Sequence, residues 1–179
     1  MLLLLQDAFE AINNFFNKGG PVLYVIAATT FIMWVMILDK LLYFKFGYRN
    51  DFDKVLKTWN SRGEHKSWNA HAIRDKLVSE TQIKINKNIP LIKTLIALCP
   101  LLGLLGTVTG MIEVFSALAI TGGGDAKSMA GGVSRATIPT MAGMVAALSG
   151  VFANTFVTQI AEKENKLTEE HLTFEEQTL

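Results

Sequence analysis

The chain alternates between long uncharged stretches and short, densely charged ones. Residues 19–38 carry no charge between Lys18 and Asp39, residues 94–112 none between Lys93 and Glu113, and residues 136–161 none between Arg135 and Glu162. The second stretch stays apolar, apart from Glu113, as far as Ile120. A helix needs about 20 apolar residues to cross a bilayer, so each stretch is long enough. One such segment could be the buried helix of a large soluble protein. In a chain of 179 residues the remainder could not cover three. The pattern predicts an all-α integral membrane protein with transmembrane helices over 19–41, 94–120 and 135–161.

The flanking segments are also patterned. Leu2, Leu5, Phe9, Ile12 and Phe16 fall on one helix face, and Asp7, Glu10 and Asn14 fall elsewhere. This predicts an amphipathic helix over 1–18, lying on the membrane surface. No basic stretch precedes the apolar opening, so it reads poorly as a signal peptide. "KGGP", Lys18 to Pro21, turns the chain into the first span. Beyond that span Leu42, Phe46, Phe52, Val55 and Trp59 keep helical spacing. Residues 60–69 read as a turn and 70–87 as a further helix. Residues 121–134 read as a loop. The third span rises about 39 Å over 136–161, more than the ~30 Å hydrocarbon core, and continues into 162–179. Segments 42–93 and 162–179 therefore form long helical extensions, a solvated collar on one side of the membrane.

Charge sets the orientation. Twelve of the seventeen Lys and Arg lie from Lys40 to Lys93, whereas 121–134 holds only Lys127, with Arg135 at its edge. Basic residues favour the cytoplasmic side. The 42–93 segment is thus cytoplasmic, the N-terminus periplasmic and the C-terminus cytoplasmic. The tail after Ala161 has six Glu against two Lys, but acidic residues weigh little in the rule. A net charge of +1 offers no field for nucleic acid. His65, His71 and His171 have no metal-ligand spacing with one another or with Cys99, so no metal site is expected. Cys99 lies in apolar "IALCPLL" and reads as a buried, inert thiol. No phosphate loop, nucleophile triad or carboxylate pair is present. The chain is expected to be neither an enzyme nor a cofactor binder.

Within the spans, small residues form stripes. Gly103, Gly106, Thr107 and Gly110 recur at helical spacing in the second, and Ala136, Thr140, Gly143, Ala147, Gly150 and Asn154 in the third. Such stripes let helices approach closely in lipid, and hydroxyls or amides hydrogen-bond across the contact. The bland reading is packing of one helix on the other. A sharper one makes these residues a pore-lining small face. Thr109 lies about 200° around from Thr107 and reads as a packing residue. Levelling Thr107 with Thr140 in an antiparallel hairpin also brings Glu113 opposite Ser134 and beside Arg135. Their rises from the threonines are about 9 and 7.5 Å. An unpaired charge at membrane depth is expensive, so a Glu113–Arg135 ion pair is expected, within one subunit or between neighbours. No residue of 136–161 titrates near neutral pH, and 94–112 offers only Cys99. A proton relay needs a protonatable group. This chain can therefore be at most half of a proton path, supplying hydroxyls and walls, and a partner helix bearing Asp or Glu is the economical source of the carboxylate.

"PLLGLLGTVTGMIEVF" followed by "GGVSRATIPTMAGMVAALSGVFANT" resembles the ExbB/TolQ/MotA proton-channel family, nearest its ExbB branch. The three-span layout extends the likeness over the whole chain, whereas MotA-type stators have four spans. The resemblance implies an inner-membrane homopentamer, a ring around the helices of an ExbD-like single-span partner that carries the titrating Asp. Protons are the coupling ion. Family positions for proton-pathway threonines fall on Thr107 and Thr140. The complex would energise a TonB-like protein for uptake of iron-siderophore, haem or cobalamin. Many relatives carry Glu where this chain has Arg135 in "GVSRAT". Arg does not titrate, so that role does not carry over. A TolQ-like subunit of the Tol-Pal envelope system, a passive scaffold and a small transporter are the alternatives.

Overall fold

The computed structural model describes residues 2–48, 52, 55–57, 59, 68–121 and 126–171. Among them the protein is all helix. Helix α1 runs Leu2–Leu42 and passes into a π-helical turn, Tyr43–Gly47. Helix α2 is Trp68–Asn86, α3 Ile89–Thr121, α4 Ala126–Ala136 and α5 Ile138–His171. Three stretches are long and apolar enough to cross a membrane: Gly19–Gly47, His71–Ile120 and Met129–Glu170. Helices α3 and α5, of 33 and 34 residues, rise about 50 Å each, well beyond a hydrocarbon core.

Local chemistry explains the breaks. α1 is interrupted at Gly20, which takes φ 69°, ψ −170°, a conformation that glycine reaches at no steric cost. Pro21 follows, at the first position of the renewed helix, where its missing N–H costs nothing. α2 and α3 are joined through Asn88 at φ 69°, and the Ile92 N–H donates to the Asn88 carbonyl at 3.0 Å. Asparagine tolerates this left-handed conformation better than most residues.

The segment after α3 departs from expectation. Much of the loop read over 121–134 is helix α4, and α5 begins at Ile138 rather than running unbroken from 135. Paired Gly131 and Gly132 suggest a loop in sequence, yet both are helical here. A Cβ at Gly132 would run into Val114. That glycine therefore serves close packing rather than a turn. Pro139 cannot donate to the carbonyl four residues back, and its ring crowds that carbonyl, so the helix stops before it. Thr137 sits in the break, its hydroxyl donating to the Ser134 carbonyl at 2.8 Å. The helix read over 70–87 is present as α2. Most of the turn read over 60–69, and the tail beyond His171, lie outside the described residues.

The chain forms two compact units. One comprises Met1–Trp34 and Lys93–Val151. Its core includes Leu23, Ile26, Met33, Ile96, Cys99 and Ala146. Cys99 is fully buried and its thiol donates to the Leu95 carbonyl at 3.3 Å. The other comprises Val35–Ile92 and Phe152–Leu179. It buries Ile37, Ile85, Ile92, Val157 and Ala161 together with the polar residues Lys40, Thr81 and Thr168. A small cluster of Trp59 and Val78, flanked by Val55, Leu56 and Leu77, packs within it.

Candidate functional site

The small residues of α3 and α5 meet one another. A Cβ on Gly103 would stand 3.0 Å from the Pro139 carbonyl oxygen and from Thr140 Cα. One on Gly110 would stand 2.8 Å from Ala136 Cβ. One on Gly143 would stand 2.5 Å from the Cys99 carbonyl oxygen and 3.2 Å from Gly103 Cα. Gly106 sits against Pro139 and Val22, and Gly150 against Met33 and Ile96. Gly103, Gly106, Gly110, Ala136, Gly143 and Gly150 thus lie between helices of one protomer, and a Cβ on any of these glycines would press on a neighbour. Ala147 and Asn154 are half-buried.

Thr140 crosses the contact. Its Oγ1 donates to the Gly103 carbonyl at 2.9 Å. Thr107 Oγ1 instead donates to the Leu104 carbonyl of its own helix at 2.7 Å. The two threonines are therefore not level. Thr140 lies beside Gly103, about one helical turn from Thr107, because the bare glycine backbone lets its hydroxyl reach a carbonyl. At Gly110 against Ala136 the expected register holds to within one residue. Both threonines are half-buried, and each has spent its only proton on a backbone carbonyl. Each still presents lone pairs, so each can accept from a protonated carboxyl but cannot donate to a carboxylate.

Beside this contact lies a cavity of about 410 Å³. Gly106, Thr109, Gly110, Glu113 and Val114 of α3 line it, as do Arg135, Ala136 and Pro139. Asn17 and the Gly20 break of α1 close another side. Glu113 and Arg135 face the same cavity, but neither forms an ion pair among the described residues. The pairing expected within one protomer is not made among the described residues, and both groups are exposed. Thr109, read as a packing residue, lines the cavity, its hydroxyl donating to the Leu105 and Gly106 carbonyls at 3.1 Å each. Asn17 carries no periodic signal that would single it out in the sequence. Gly20 could have been found only through its neighbours in "KGGP".

Outward-facing positions are strongly apolar. Leu104, Leu105, Val108, Ile112 and Phe115 on α3, and Val145, Leu148, Phe152 and Phe156 on α5, are all exposed. Lipid or other chains must cover them, since water would not.

A family model described as the MotA/TolQ/ExbB proton channel family matches residues 47–170. Among curated relatives, a Synechocystis biopolymer transport protein designated ExbB-like 1 is 54% identical over 61 residues, 32% of this chain and 24% of that protein. The biopolymer transport protein ExbB of Helicobacter pylori is 30% identical over 76 residues, covering 42% of this chain and 52% of its own. An ExbB homolog of Methanothermobacter thermautotrophicus is 25% identical over 171 residues, 78% of this chain and 60% of that protein. In each case the match spans less than two thirds of the relative's length.

Proposed function

The chain belongs to the MotA/TolQ/ExbB proton channel family, and from that premise we propose that it is the wall of a proton-driven motor in a bacterial inner membrane. In this reading several copies, five by family resemblance, ring an ExbD-like single-span partner. The partner brings the titrating Asp. The complex uses the proton-motive force to energise a TonB-like protein for outer-membrane uptake. The N-terminus is periplasmic and the basic segment cytoplasmic, as the Lys and Arg distribution favours.

The observation that carries the reading is the hydroxyl chemistry of Thr107 and Thr140. With their protons committed to the Leu104 and Gly103 carbonyls, they favour a neutral partner carboxyl over a charged one. A neutral acid passes an apolar wall at far lower cost than a carboxylate. The threonines thus reward protonation at one station, and the exposed Leu, Ile, Val and Phe positions discourage charge beyond it. One charge crossing 100 mV is worth about 2.3 kcal/mol, so a few protons suffice to move the partner helices. The cavity with Glu113 and Arg135 supplies a hydrated approach on the periplasmic side. Glu113 and Arg135 can also pair between neighbouring copies.

Co-purification with a single-span partner bearing a membrane Asp, followed by native mass spectrometry, tests the architecture. Five copies to two supports it, and recovery of this chain alone opposes it. A TolQ-like role would show instead as binding to a Tol-type energised protein. A passive scaffold is favoured by one feature, the use of every stripe glycine in packing, and predicts no proton current with any partner.

A further inference from the structure

Two opposite charges share one cavity without meeting. Glu113 of α3 and Arg135 of α4 both line the 410 Å³ cavity beside the α3–α5 contact. Both are exposed, and neither forms an ion pair among the described residues. All the residues lining this cavity belong to the unit of Met1–Trp34 and Lys93–Val151. Residues 94–112 carry no charge and rise about 28 Å, close to the ~30 Å hydrocarbon core. Glu113 therefore stands where lipid headgroups begin. Packing sets the depth of Arg135. Gly110 meets Ala136, and Val114 meets Gly132, in one antiparallel register. That register puts Arg135 level with Met111, about 3 Å nearer the membrane centre than Glu113. Val22 and Pro139, which flank Gly106, line the deeper side of the cavity.

We propose that this cavity is a headgroup site for a phospholipid bearing a primary amine, of the ethanolamine type: the Arg135 guanidinium donates to the lipid phosphate and the Glu113 carboxylate accepts from the lipid ammonium. The order of the charges carries the assignment. In such a lipid the phosphate lies next to the tails and the ammonium one ethylene unit further out. In the cavity the cation likewise lies deeper and the anion further out. Guanidinium and phosphate match as a bidentate, charge-assisted pair. A phosphoglycerol headgroup has no cation and leaves Glu113 unmatched. A choline headgroup has a cation but no N–H to donate. The volume is in the usual range for small-molecule sites, and a few placed polar groups among apolar walls are their usual lining. Val22 and Pro139 stand where the first tail carbons of a seated lipid lie. The inference deepens the reading of this cavity given above but rests only on the three spans and not on proton flow, so lipid binding and proton current can fail separately.

The test is native mass spectrometry of the full chain in detergent, equilibrated with equal amounts of dioleoyl phosphatidylethanolamine, phosphatidylglycerol and phosphatidylcholine. The native chain should retain the ethanolamine lipid over each of the others by about tenfold, the worth of one charge-assisted hydrogen bond. Glu113→Gln should bring it to near parity with phosphatidylglycerol, because only the phosphate contact is left. Exchanging the charges, with Glu113→Arg and Arg135→Glu in one chain, should abolish the excess, since the anion then faces the phosphate. An ion pair between neighbouring copies is indifferent to that exchange and gives no lipid preference in the native chain. Equal retention of the three lipids by the native chain, or an excess that survives the exchange, overturns the proposal. Soluble glycerophosphoethanolamine separates headgroup from lipid: it should leave the retained lipid in place at micromolar concentration, and displacement there overturns the lipid assignment. Should the exchanged variant fail to fold, Glu113→Gln decides, and an undiminished excess in it overturns the proposal.

Discussion

The two units hold their helices together by opposite means. In the unit of Met1–Trp34 and Lys93–Val151, helices touch through missing side chains, and the Thr140–Gly103 bond is a polar link across the α3–α5 contact. In the unit of Val35–Ile92 and Phe152–Leu179, long polar and aromatic side chains do the joining. Lys40 Nζ donates to the Lys84 carbonyl at 3.1 Å while lying over the Tyr43 and Phe44 rings. Gln82 bonds Glu169 Oε1 at 2.7 Å, and Tyr48 bonds Thr168 at 3.1 Å. The contrast follows from solvent. Lipid gives helices no hydrophobic reason to associate, so close backbone approach must supply dispersion instead. Toward water, long side chains keep wet ends and lay apolar stems on their neighbours.

The largest effect expected is at a glycine that abuts backbone rather than a movable side chain. Gly143→Ala sets a Cβ 2.5 Å from a backbone oxygen that cannot turn aside, and should cost about 1–3 kcal/mol or more in stability. Gly131→Ala, with nothing within 4 Å, should do the reverse and stabilise α4 by about 0.5–1 kcal/mol. Thermal unfolding of both variants separates a packing glycine from an idle one. Equal effects would erase the contrast.

Tyr48 probes the polar unit. Burial and the nearby Glu164 hold its hydroxyl protonated, with the pKa pushed up to about 12 from 10, while the Thr168 bond pulls the other way. The neutral form is favoured by folding, so its contribution is complete below pH 10 and is lost as pH rises toward 12. Tyr48→Phe should cost about 1 kcal/mol at neutral pH. The gap between native chain and variant should then narrow with rising pH, as paired denaturation series can read. A gap that widens would contradict the assignment.

Thr140→Val removes the link to Gly103 and should cost only about 0.6 kcal/mol, the usual worth of such bonds between membrane helices. Thr140→Ser should recover it. Smallest of all, Glu113→Gln and Arg135→Gln should each shift protomer stability by less than about 0.5 kcal/mol, because neither forms an ion pair among the described residues. A double-mutant cycle showing strong coupling in the assembled complex would instead place the pair between copies.

Much of this arrangement was legible in the order of residues. Uncharged length gives three spans, and glycine spacing marks the faces that touch, since glycine is tolerated inside a helix where nothing larger fits. The antiparallel register follows to within one residue at Gly110 and Ala136. Side-chain destinations do not follow. Thr107 and Thr140 look alike in sequence, yet one bonds its own helix and the other crosses, which depends on a local approach of under one turn. Helix α4 hid behind two adjacent glycines, and the break at Thr137 behind a proline read as lying within a continuous span. Asn154 was visible on the stripe, whereas its half-burial depends on packing from other elements.

Proton flux into liposomes carrying the complex of this chain with the proposed single-span partner tests the central claim most directly. An imposed potential should drive protons through the native complex and through Thr140→Ser. Thr140→Val, assembled to the same extent, should pass few or none. Undiminished flux through Thr140→Val, or none through an intact native complex, would contradict the role given to the threonines and to the chain.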